Sequence, residues 1–212
     1  MLKLYGFGRV NKGARGHTRD LRVLWALEEI GLPYEVVGMD HPNHDLDAPA
    51  YRALNPFGQI PVIDDDGVVV SESGAIVLYL ARKSGKLIPR DLAGEAQVLR
   101  WTAAALTTIE VPVLSLWFVN LSGGKDSKPS EALRAWAEMR LAQLDGWLAD
   151  RRFIATEDFT VADILMTHVL DAGTPKEMLQ PYPNILAYHA RCTERPAWKK
   201  TLDAYRERVE AA

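Results

Sequence analysis

Apolar positions in the first part of the chain alternate between the spacing of strands and the spacing of helices. Short apolar runs bounded by glycine, proline or aspartate predict strands, and apolar side chains three and four residues apart predict helices. The predicted elements are a strand at Leu2–Phe7, a helix at 19–30, a strand at 34–39, a short helix at 50–54, a hairpin joining 60–63 to 68–70, and a helix at 73–84. This order predicts one mixed sheet with helices on its faces, so residues 1–84 are expected to form an α/β domain.

The pattern becomes helical throughout after a charged, proline-containing linker at 86–91. The stretch at 122–129, rich in glycine, serine and lysine, marks a clear break between two of the helices. Helices are predicted at 92–121, 130–150, 161–172, 185–193 and 197–210. We therefore expect residues 92–212 to form a second, all-α domain, a bundle of helices.

Composition narrows the functional classes. The chain has 212 residues, of which 48% are hydrophobic and 25% charged, as in ordinary globular proteins. A net charge of -3 gives no reason to expect nucleic acid or acidic lipid as a partner. No apolar run approaches the roughly 18–20 residues of a membrane span, and the N-terminus lacks an apolar leader. The single cysteine, Cys192, excludes an internal disulfide, so we expect a cytoplasmic protein without a metal.

The segment Asn55-Pro56-Phe57-Gly58-Gln59-Ile60-Pro61 is the most informative in the sequence. A proline at a strand start donates no backbone hydrogen bond and restrains the residue before it. If Ile60–Pro61 is cis, Ile60 offers its N–H and carbonyl to an extended peptide, which binds as an added strand. The alternative is a trans proline at the edge of the sheet.

A second informative segment, Ser71-Glu72-Ser73, lies where a predicted strand ends and a helix begins. Free N–H groups and the positive end of the helix dipole suit a carboxylate there, and Glu72 can accept from an ammonium group. A ligand with carboxylate and ammonium on one carbon fits both features. The alternative for Ser73 is a plain helix cap.

Together the two segments resemble the glutathione-binding half of the cytosolic-type glutathione S-transferase family. Its pattern is Asn-Pro-x-Gly-(Lys/Gln)-(Val/Ile)-Pro, followed by (Glu/Gln)-Ser. The similarity extends over essentially the whole chain and includes Arg-Val-Leu-Trp-Ala-Leu-Glu-Glu at 22–29. It also includes Phe-Thr-Val-Ala-Asp-Ile at 159–164, where Thr160 and Asp163 have the spacing of a capping box.

The resemblance implies a thioredoxin-like N-terminal domain with Ile60–Pro61 cis and glutathione as co-substrate. Ile60 would bind the cysteinyl backbone of glutathione, Glu72 and Ser73 the γ-glutamyl end, and Gln59 the glycyl end. The implied activity is conjugation of the glutathione thiolate to small hydrophobic electrophiles by a homodimer. Glutathione-dependent isomerisation, peroxide reduction or dehalogenation at the same site, or a non-catalytic binding module, are the alternatives.

The group that activates the glutathione sulfur departs from the family pattern. Glutathione reacts as its thiolate, which is only about 3% of a thiol with a pKa near 8.5 at pH 7. The family's Ser or Cys position falls at His17 or Thr18. We expect Thr18 to donate a hydrogen bond to the sulfur, unless it only caps the helix. Tyr5 is the alternative donor, unless it belongs to the core.

Two further regions carry functional hypotheses. The basic loop from Gly6 to Arg19 is longer than the family's and could stabilise a thiolate, bind an anionic co-substrate, or be a solvated surface loop. Trp117 and Phe118 occupy the region that lines the electrophile pocket in the family, although a core or dimer role is equally open. The His-x-x-His pair at 41 and 44 is interpreted as a surface turn, since no third metal ligand accompanies it.

Overall fold

The computed structural model describes residues 1–211 and divides the chain into two compact units. The first unit comprises Met1–Lys86 together with the segment that begins at Arg195. The second unit is Leu87–Glu194.

The first unit is built on the mixed sheet that the sequence predicts. Strand β1 lies at its centre, parallel to β2 on one side and antiparallel to β3 on the other, and β4 follows β3 as an antiparallel hairpin. The elements before residue 85 are β1 Leu2–Val10, α1 Asp20–Ile30, β2 Tyr34–Asp40, α2 Pro49–Leu54, β3 Val62–Asp65, β4 Val68–Ser71 and α3 Ser73–Ser84. Helices α1 and α3 pack against each other through buried apolar faces.

Strand β1 is longer than predicted. It continues to Val10, so the first residues of the expected loop belong to the strand. Gly38 of β2 pairs with Gly6 of β1 and also lies close to Gly8, where a Cβ would be 3.1 Å from the Cα of Gly38. Gly8 and Gly38 thus allow the two strands to approach closely. The parallel pairing then continues past a register shift to Arg9 and Asp40.

The second unit consists of helices, as predicted. They are α4 Leu92–Ala103, α5 Glu110–Val119, α6 Lys128–Leu148, α7 Val161–Ala172, α8 Lys176–Leu179 and α9 Pro183–Thr193. π-helical segments at Ala104–Ile109 and Asn120–Gly124 make the run from α4 through α5 continuous. Helix α7 is buried along ten consecutive residues and forms the centre of the unit.

The run Leu92–Gly124 meets the length and composition of a membrane span, with a mean hydropathy of 1.5 over its most apolar window. The sequence analysis predicted one helix over 92–121 but did not identify a possible span within it. α4 packs on α7 and α5 packs on α6 within the helical unit. The apolar content thus serves, at least in part, the core of that unit.

The predicted capping box at the start of α7 is confirmed. The Asp163 carboxylate accepts from the Thr160 N–H at 2.8 Å, from the Ile154 N–H at 2.8 Å and from the Tyr188 hydroxyl at 3.0 Å. Burial raises the pKa of this carboxyl, although these hydrogen bonds act in the opposite direction. Thr160 and Asp163 are therefore structural residues, since they tie α7 to the preceding loop and to α9.

The last helix, α10 Pro196–Arg208, packs on α1 of the first unit, whereas the sequence analysis assigned it to the 92–212 domain. Trp198 stacks on Trp25 with ring centroids 4.6 Å apart. Arg195 binds both carboxylate oxygens of Glu29, at 2.6 and 2.7 Å. After α10 the chain forms a short strand, β5 Glu210–Ala211, which adds to β1 in parallel at Arg9 and Val10.

Candidate functional site

The four residues predicted to bind glutathione line a single pocket in the first unit. Pro61 and Asn55 also contribute to its wall, as does Arg19 at the N-terminus of α1. The complete lining is Arg19, Asn55, Gln59, Ile60, Pro61, Glu72 and Ser73. The loop before β3 and the junction of β4 with α3 thus face each other, because β3 and β4 are paired in the hairpin.

The wall formed by Asn55–Pro61 is held by several hydrogen bonds. The carbonyl oxygen of Gln59 accepts from the Tyr51 hydroxyl and from the Asn55 amide, each at 2.8 Å. Asn55 is buried and also accepts from the Phe57 N–H at 3.1 Å. Ile60–Pro61 is cis, as the resemblance implies.

Gly58 completes the turn in this wall. Its φ of 59° lies in the left-handed region, and a Cβ there would lie 2.6 Å from the guanidinium carbon of Arg52. Arg52 uses that position to donate to the Pro56 carbonyl at 3.0 Å. The glycine is therefore required by both the backbone conformation and the packing of the turn.

Ile60 has the free backbone groups that peptide binding requires. Among the residues that the structure describes, none forms a hydrogen bond with its N–H or its carbonyl oxygen. Its side chain is buried in a cluster with Tyr51 and Val62, so only the main chain is presented to the pocket. These two groups can form strand-like hydrogen bonds with an extended ligand.

The opposite wall is the N-terminus of α3. Glu72 precedes the helix with a φ of 68°, which is uncommon for a residue with a side chain, and its side chain is exposed. It makes no capping bond to the helix, so the N–H groups of the first turn keep their capacity for an anion. A ligand with a carboxylate and an ammonium group could place its carboxylate at these N–H groups and its ammonium group beside the Glu72 carboxylate.

Ser73 is held at this helix start by a buried cation. Its side chain is 5% exposed, and its oxygen accepts from Nη1 of the buried Arg22 at 3.2 Å. The pocket therefore combines a helix N-terminus with two arginines, Arg19 in its lining and Arg22 behind Ser73. This arrangement suits an anionic ligand.

Arg19 was missed as a site residue by the sequence analysis. The available signal was the excess of basic residues in the segment before α1, for which thiolate stabilisation and anion binding were hypothesised without a residue being singled out. Arg19 is exposed and reaches the same pocket as Glu72 and Ser73. Its position places a permanent positive charge beside the expected site of glutathione.

Thr18, the predicted sulfur donor, is outside the residues that line this pocket. Its side chain is 7% exposed, and its oxygen lies 2.7 Å from the Tyr205 hydroxyl. It also hydrogen-bonds to the Asp20 carboxyl. Its hydroxyl is thus engaged within the protein, and its role in activating sulfur stays a prediction.

Tyr5, the alternative donor, faces a different cavity. Its ring meets that of Tyr51 edge-on at 5.9 Å and lines a space shared with Met39 and Leu54. Burial raises the pKa of Tyr51 well above its usual value, so its hydroxyl stays protonated near neutrality. The Tyr5 ring therefore contributes to the wall below Ile60, in keeping with the core alternative for this residue.

The remaining candidates lie elsewhere. Trp117 and Phe118 on α5 are 50% and 63% exposed, so neither is a core residue within the helical unit. His44 is exposed in a turn with its Nδ1 3.1 Å from Asp47, as expected of a surface turn. Over residues 1–211 no group of three potential ligands is placed to hold a metal ion.

Comparison with known proteins matches both units. The N-terminal domain model of the glutathione S-transferases matches residues 13–82, and the C-terminal domain model matches residues 106–196. Glutathione S-transferase 3 of Schizosaccharomyces pombe is 31% identical over 202 residues, which cover 85% of this chain and 81% of the relative.

Solved structures agree. A glutathione transferase from Burkholderia graminis with two glutathione molecules per subunit is 30% identical, with a TM-score of 0.82 over 96% of this chain and 88% of that chain. A family member from Pseudomonas fluorescens with two glutathiones bound is 26% identical, with a TM-score of 0.81 over 95% and 92%. The thioredoxin-like fold of the first unit and the glutathione-dependent activity predicted from the sequence are thereby confirmed, and this chain belongs to the glutathione S-transferase family.

Proposed function

We propose that the protein conjugates glutathione to small, apolar electrophiles. The observation that carries this proposal is the single pocket that joins the free backbone of Ile60 to the N-terminus of α3, with Ser73 and Arg19 beside them. A tripeptide with one backbone segment and a charged γ-glutamyl end matches both walls. Binding in this way would orient the thiol for attack.

The contacts with glutathione follow from the two walls. Ile60 bonds the cysteinyl backbone, the first turn of α3 with Ser73 binds the γ-glutamyl carboxylate, and Glu72 accepts from its ammonium group. Gln59 precedes Ile60 and lines the same pocket, so we assign it the glycyl end. The cation Arg22 supports Ser73 from the protein side and strengthens its hold on a carboxylate.

Arg19 is the group that we propose to stabilise the thiolate. A guanidinium stays charged at every pH at which the enzyme works, and a nearby cation lowers the pKa of a thiol. Thr18 then acts by fixing the segment next to Arg19, rather than as a direct donor. Direct donation from Thr18 or Tyr5 remains the competing prediction. Thr18→Val with an unchanged thiol pKa would remove Thr18 from both roles.

The reaction itself needs no group from the protein to change its covalent state. The thiol loses its proton to solvent, the sulfur forms a bond to the electrophilic carbon, and the leaving group departs with the electron pair of the broken bond. We propose that Trp117 and Phe118 supply apolar surface for the electrophile. A homodimer and a cytoplasmic location complete the proposal, in line with the resemblance.

The test is calorimetric binding of glutathione, followed by a conjugation assay with an aryl halide. We expect glutathione affinity to fall steeply in a Ser73→Ala, Glu72→Gln double variant, because both side chains assigned to the γ-glutamyl end are changed. The matched control is Ser71→Ala, a change of the same kind on the neighbouring strand β4. Wild-type protein that binds no glutathione contradicts the proposal, and binding without turnover of any electrophile favours a non-catalytic role.

A second candidate function is attack of the bound thiolate on a glutathione-containing disulfide. It is favoured by the two solved relatives with two glutathione molecules bound. The thiolate of one glutathione would form a new S–S bond with the glutathionyl sulfur of the disulfide, and the other thiol would leave as a thiolate. Cys192 takes no part, since it is buried and its thiol pKa is raised to about 12. Release of glutathione disulfide from a mixed disulfide, followed with glutathione reductase, measures this activity.

A further inference from the structure

The segment before α1 is held by the last helix of the chain. The Tyr205 hydroxyl, on α10, lies 2.7 Å from the Thr18 hydroxyl in a buried contact that spans 187 positions in sequence. The backbone of Gly16 hydrogen-bonds to the same phenol. Tyr205 itself is fully buried. One side chain of α10 thus reaches two residues of the loop.

The hydrogen bonds form a continuous chain. The Tyr205 hydroxyl hydrogen-bonds to the Gly16 backbone and to the Thr18 hydroxyl, and Thr18 in turn hydrogen-bonds to the Asp20 carboxyl. Asp20 also accepts from the Phe7 N–H of β1 at 3.0 Å. Each hydroxyl in the chain therefore has two hydrogen-bond partners, an arrangement that fixes the backbone between Gly16 and Asp20.

Arg19 lies between two members of this chain. Thr18 and Asp20 are both buried and both hydrogen-bonded, whereas the Arg19 side chain between them is exposed and lines the glutathione pocket. The direction of the Arg19 side chain is set by a backbone that its neighbours immobilise. Loosening either neighbour would let the guanidinium leave the pocket, because an arginine side chain has several rotatable bonds.

Two more contacts tie the loop to the end of the chain. Nη2 of Arg15 donates to the carbonyl of Arg206 at 2.5 Å, and β5 pairs with Arg9 and Val10. Tyr205, Arg206 and β5 together are called the C-terminal clasp. The clasp contacts the basic loop at three levels, at its start, in its middle and at its end beside α1.

We infer that Tyr205 is a positioning residue for the glutathione site, which acts through Thr18 to keep the Arg19 guanidinium directed at the bound peptide. The inference rests on the proposed function, since it assigns Tyr205 a part in that same site. It makes the last helix of the chain a determinant of thiol chemistry at the first helix. Tyr205 itself lies outside the residues that line the pocket.

The experiment compares the wild type with Tyr205→Phe, Arg19→Gln and the double variant. Two quantities are measured: the dissociation constant for glutathione by calorimetry, and the pKa of the bound thiol by its ultraviolet absorbance as a function of pH. Tyr182→Phe is the control, because it likewise removes a phenol hydroxyl that is hydrogen-bonded within the protein, in this case to the Glu138 carbonyl of the helical unit. Thr18→Ser tests whether a hydroxyl at position 18 is sufficient, since it retains that group and removes only the methyl group.

Tyr205→Phe is expected to raise the thiol pKa by about half a unit to one unit, a three- to tenfold loss of thiolate near neutrality. kcat/KM with an aryl halide falls by about the same factor at pH 7 and recovers as the pH rises. In the Arg19→Gln background, Tyr205→Phe has no further effect on the thiol pKa, since Tyr205 acts through Arg19. Thr18→Ser and Tyr182→Phe keep the wild-type thiol titration.

Two outcomes overturn the inference. One is a Tyr205→Phe protein with the wild-type thiol pKa and glutathione affinity, even if its melting temperature is lower, because that shows a role in stability only. The other is an effect of Tyr205→Phe that is the same with and without Arg19. A wild-type protein that fails to bind glutathione is a separate result, since it contradicts the proposed function itself.

Discussion

Two backbone segments that line the proposed glutathione pocket are held in place by contacts over very different distances along the chain. Asn55–Pro61 is braced by Tyr51 and Arg52, whose side chains reach carbonyl groups at most eight residues away. The segment before α1 is braced by Tyr205 and Arg206, 187 and 191 positions from their partners. The first segment is a local structure, and the second depends on the completed fold of the unit.

Under the proposed function, this difference separates binding from activation. The locally braced wall offers the main-chain groups of Ile60 to a peptide backbone, and the N-terminus of α3 on the opposite wall suits its charged end. The remotely braced wall carries Arg19, the only side chain from α1 or its cap that lines the pocket as the structure describes it. Changes in the local wall should therefore alter affinity, and changes in the C-terminal clasp should alter the reactivity of the sulfur.

The largest effect is expected from Ser73→Ala. The change removes the acceptor of Arg22 and a hydroxyl at the helix start, so glutathione affinity should fall about ten- to hundredfold, the range for a hydrogen bond to a charged group. Calorimetric titration measures it, with Ser71→Ala as control. Equal affinities of the two variants would contradict the assignment of the γ-glutamyl end to α3.

Asn55→Ala tests the local brace. It removes the amide donor to Gln59 and the acceptor of the Phe57 N–H, so unfolding free energy should fall by about 2 kcal/mol. Urea unfolding measures this change, and glutathione affinity should fall with it. An Asn55→Ala protein with wild-type affinity would show that the loop keeps its shape without this side chain.

Removal of Glu210–Ala212 tests the clasp. The shortened chain lacks the partner of Arg9 and Val10, so the amides of the basic loop should exchange with solvent faster, by about three- to tenfold. Hydrogen exchange read by mass spectrometry should show no change in peptides that cover 55–61. Faster exchange in both segments would mean that the two braces are not independent.

Asp20→Asn is expected to have the smallest effect, on the pH dependence of stability. Burial raises the pKa of Asp20 above its usual 3.8, against smaller opposing contributions from Thr18, the Phe7 N–H and Arg208. The folded state then binds a proton more readily than the unfolded chain, so the contribution of Asp20 to stability falls as pH rises through the window from 3.8 to the raised pKa. Urea unfolding at several pH values should show this slope in the wild type. A stability of Asp20→Asn that varies with pH just as the wild type's does would refute the contribution of Asp20.

The same contrast explains what could be predicted from the sequence. The residues that hold the Asn-Pro-Phe-Gly-Gln-Ile-Pro segment are close to it in sequence, since Asn55 and Gly58 contact residues only a few positions away. The pocket lining at Gln59 and Ile60 followed from that pattern. Helix α7 and its capping box followed in the same way, since Thr160 and Asp163 are three residues apart.

The rest could not be read from local patterns. Nothing near Thr18 in sequence indicates that its hydroxyl is hydrogen-bonded to Tyr205. The sequence analysis therefore predicted that this hydroxyl was available to the glutathione sulfur. Helix α10 resembles the preceding helices in its spacing of apolar residues, and only its contacts with α1 through Trp198 and Arg195 assign it to the first unit. β5 is too short for its sequence to predict it.

The sole cysteine of the chain has a consequence for its handling in oxidising conditions. Cys192 is 0% exposed inside the helical unit, and its pKa of about 12 leaves almost no thiolate near neutrality. Folded molecules are therefore inert to the disulfides that accumulate when glutathione is oxidised, and the catalyst is not capped by its own co-substrate. Labelling by a thiol-reactive dye therefore measures the fraction of molecules in which the helical unit has opened.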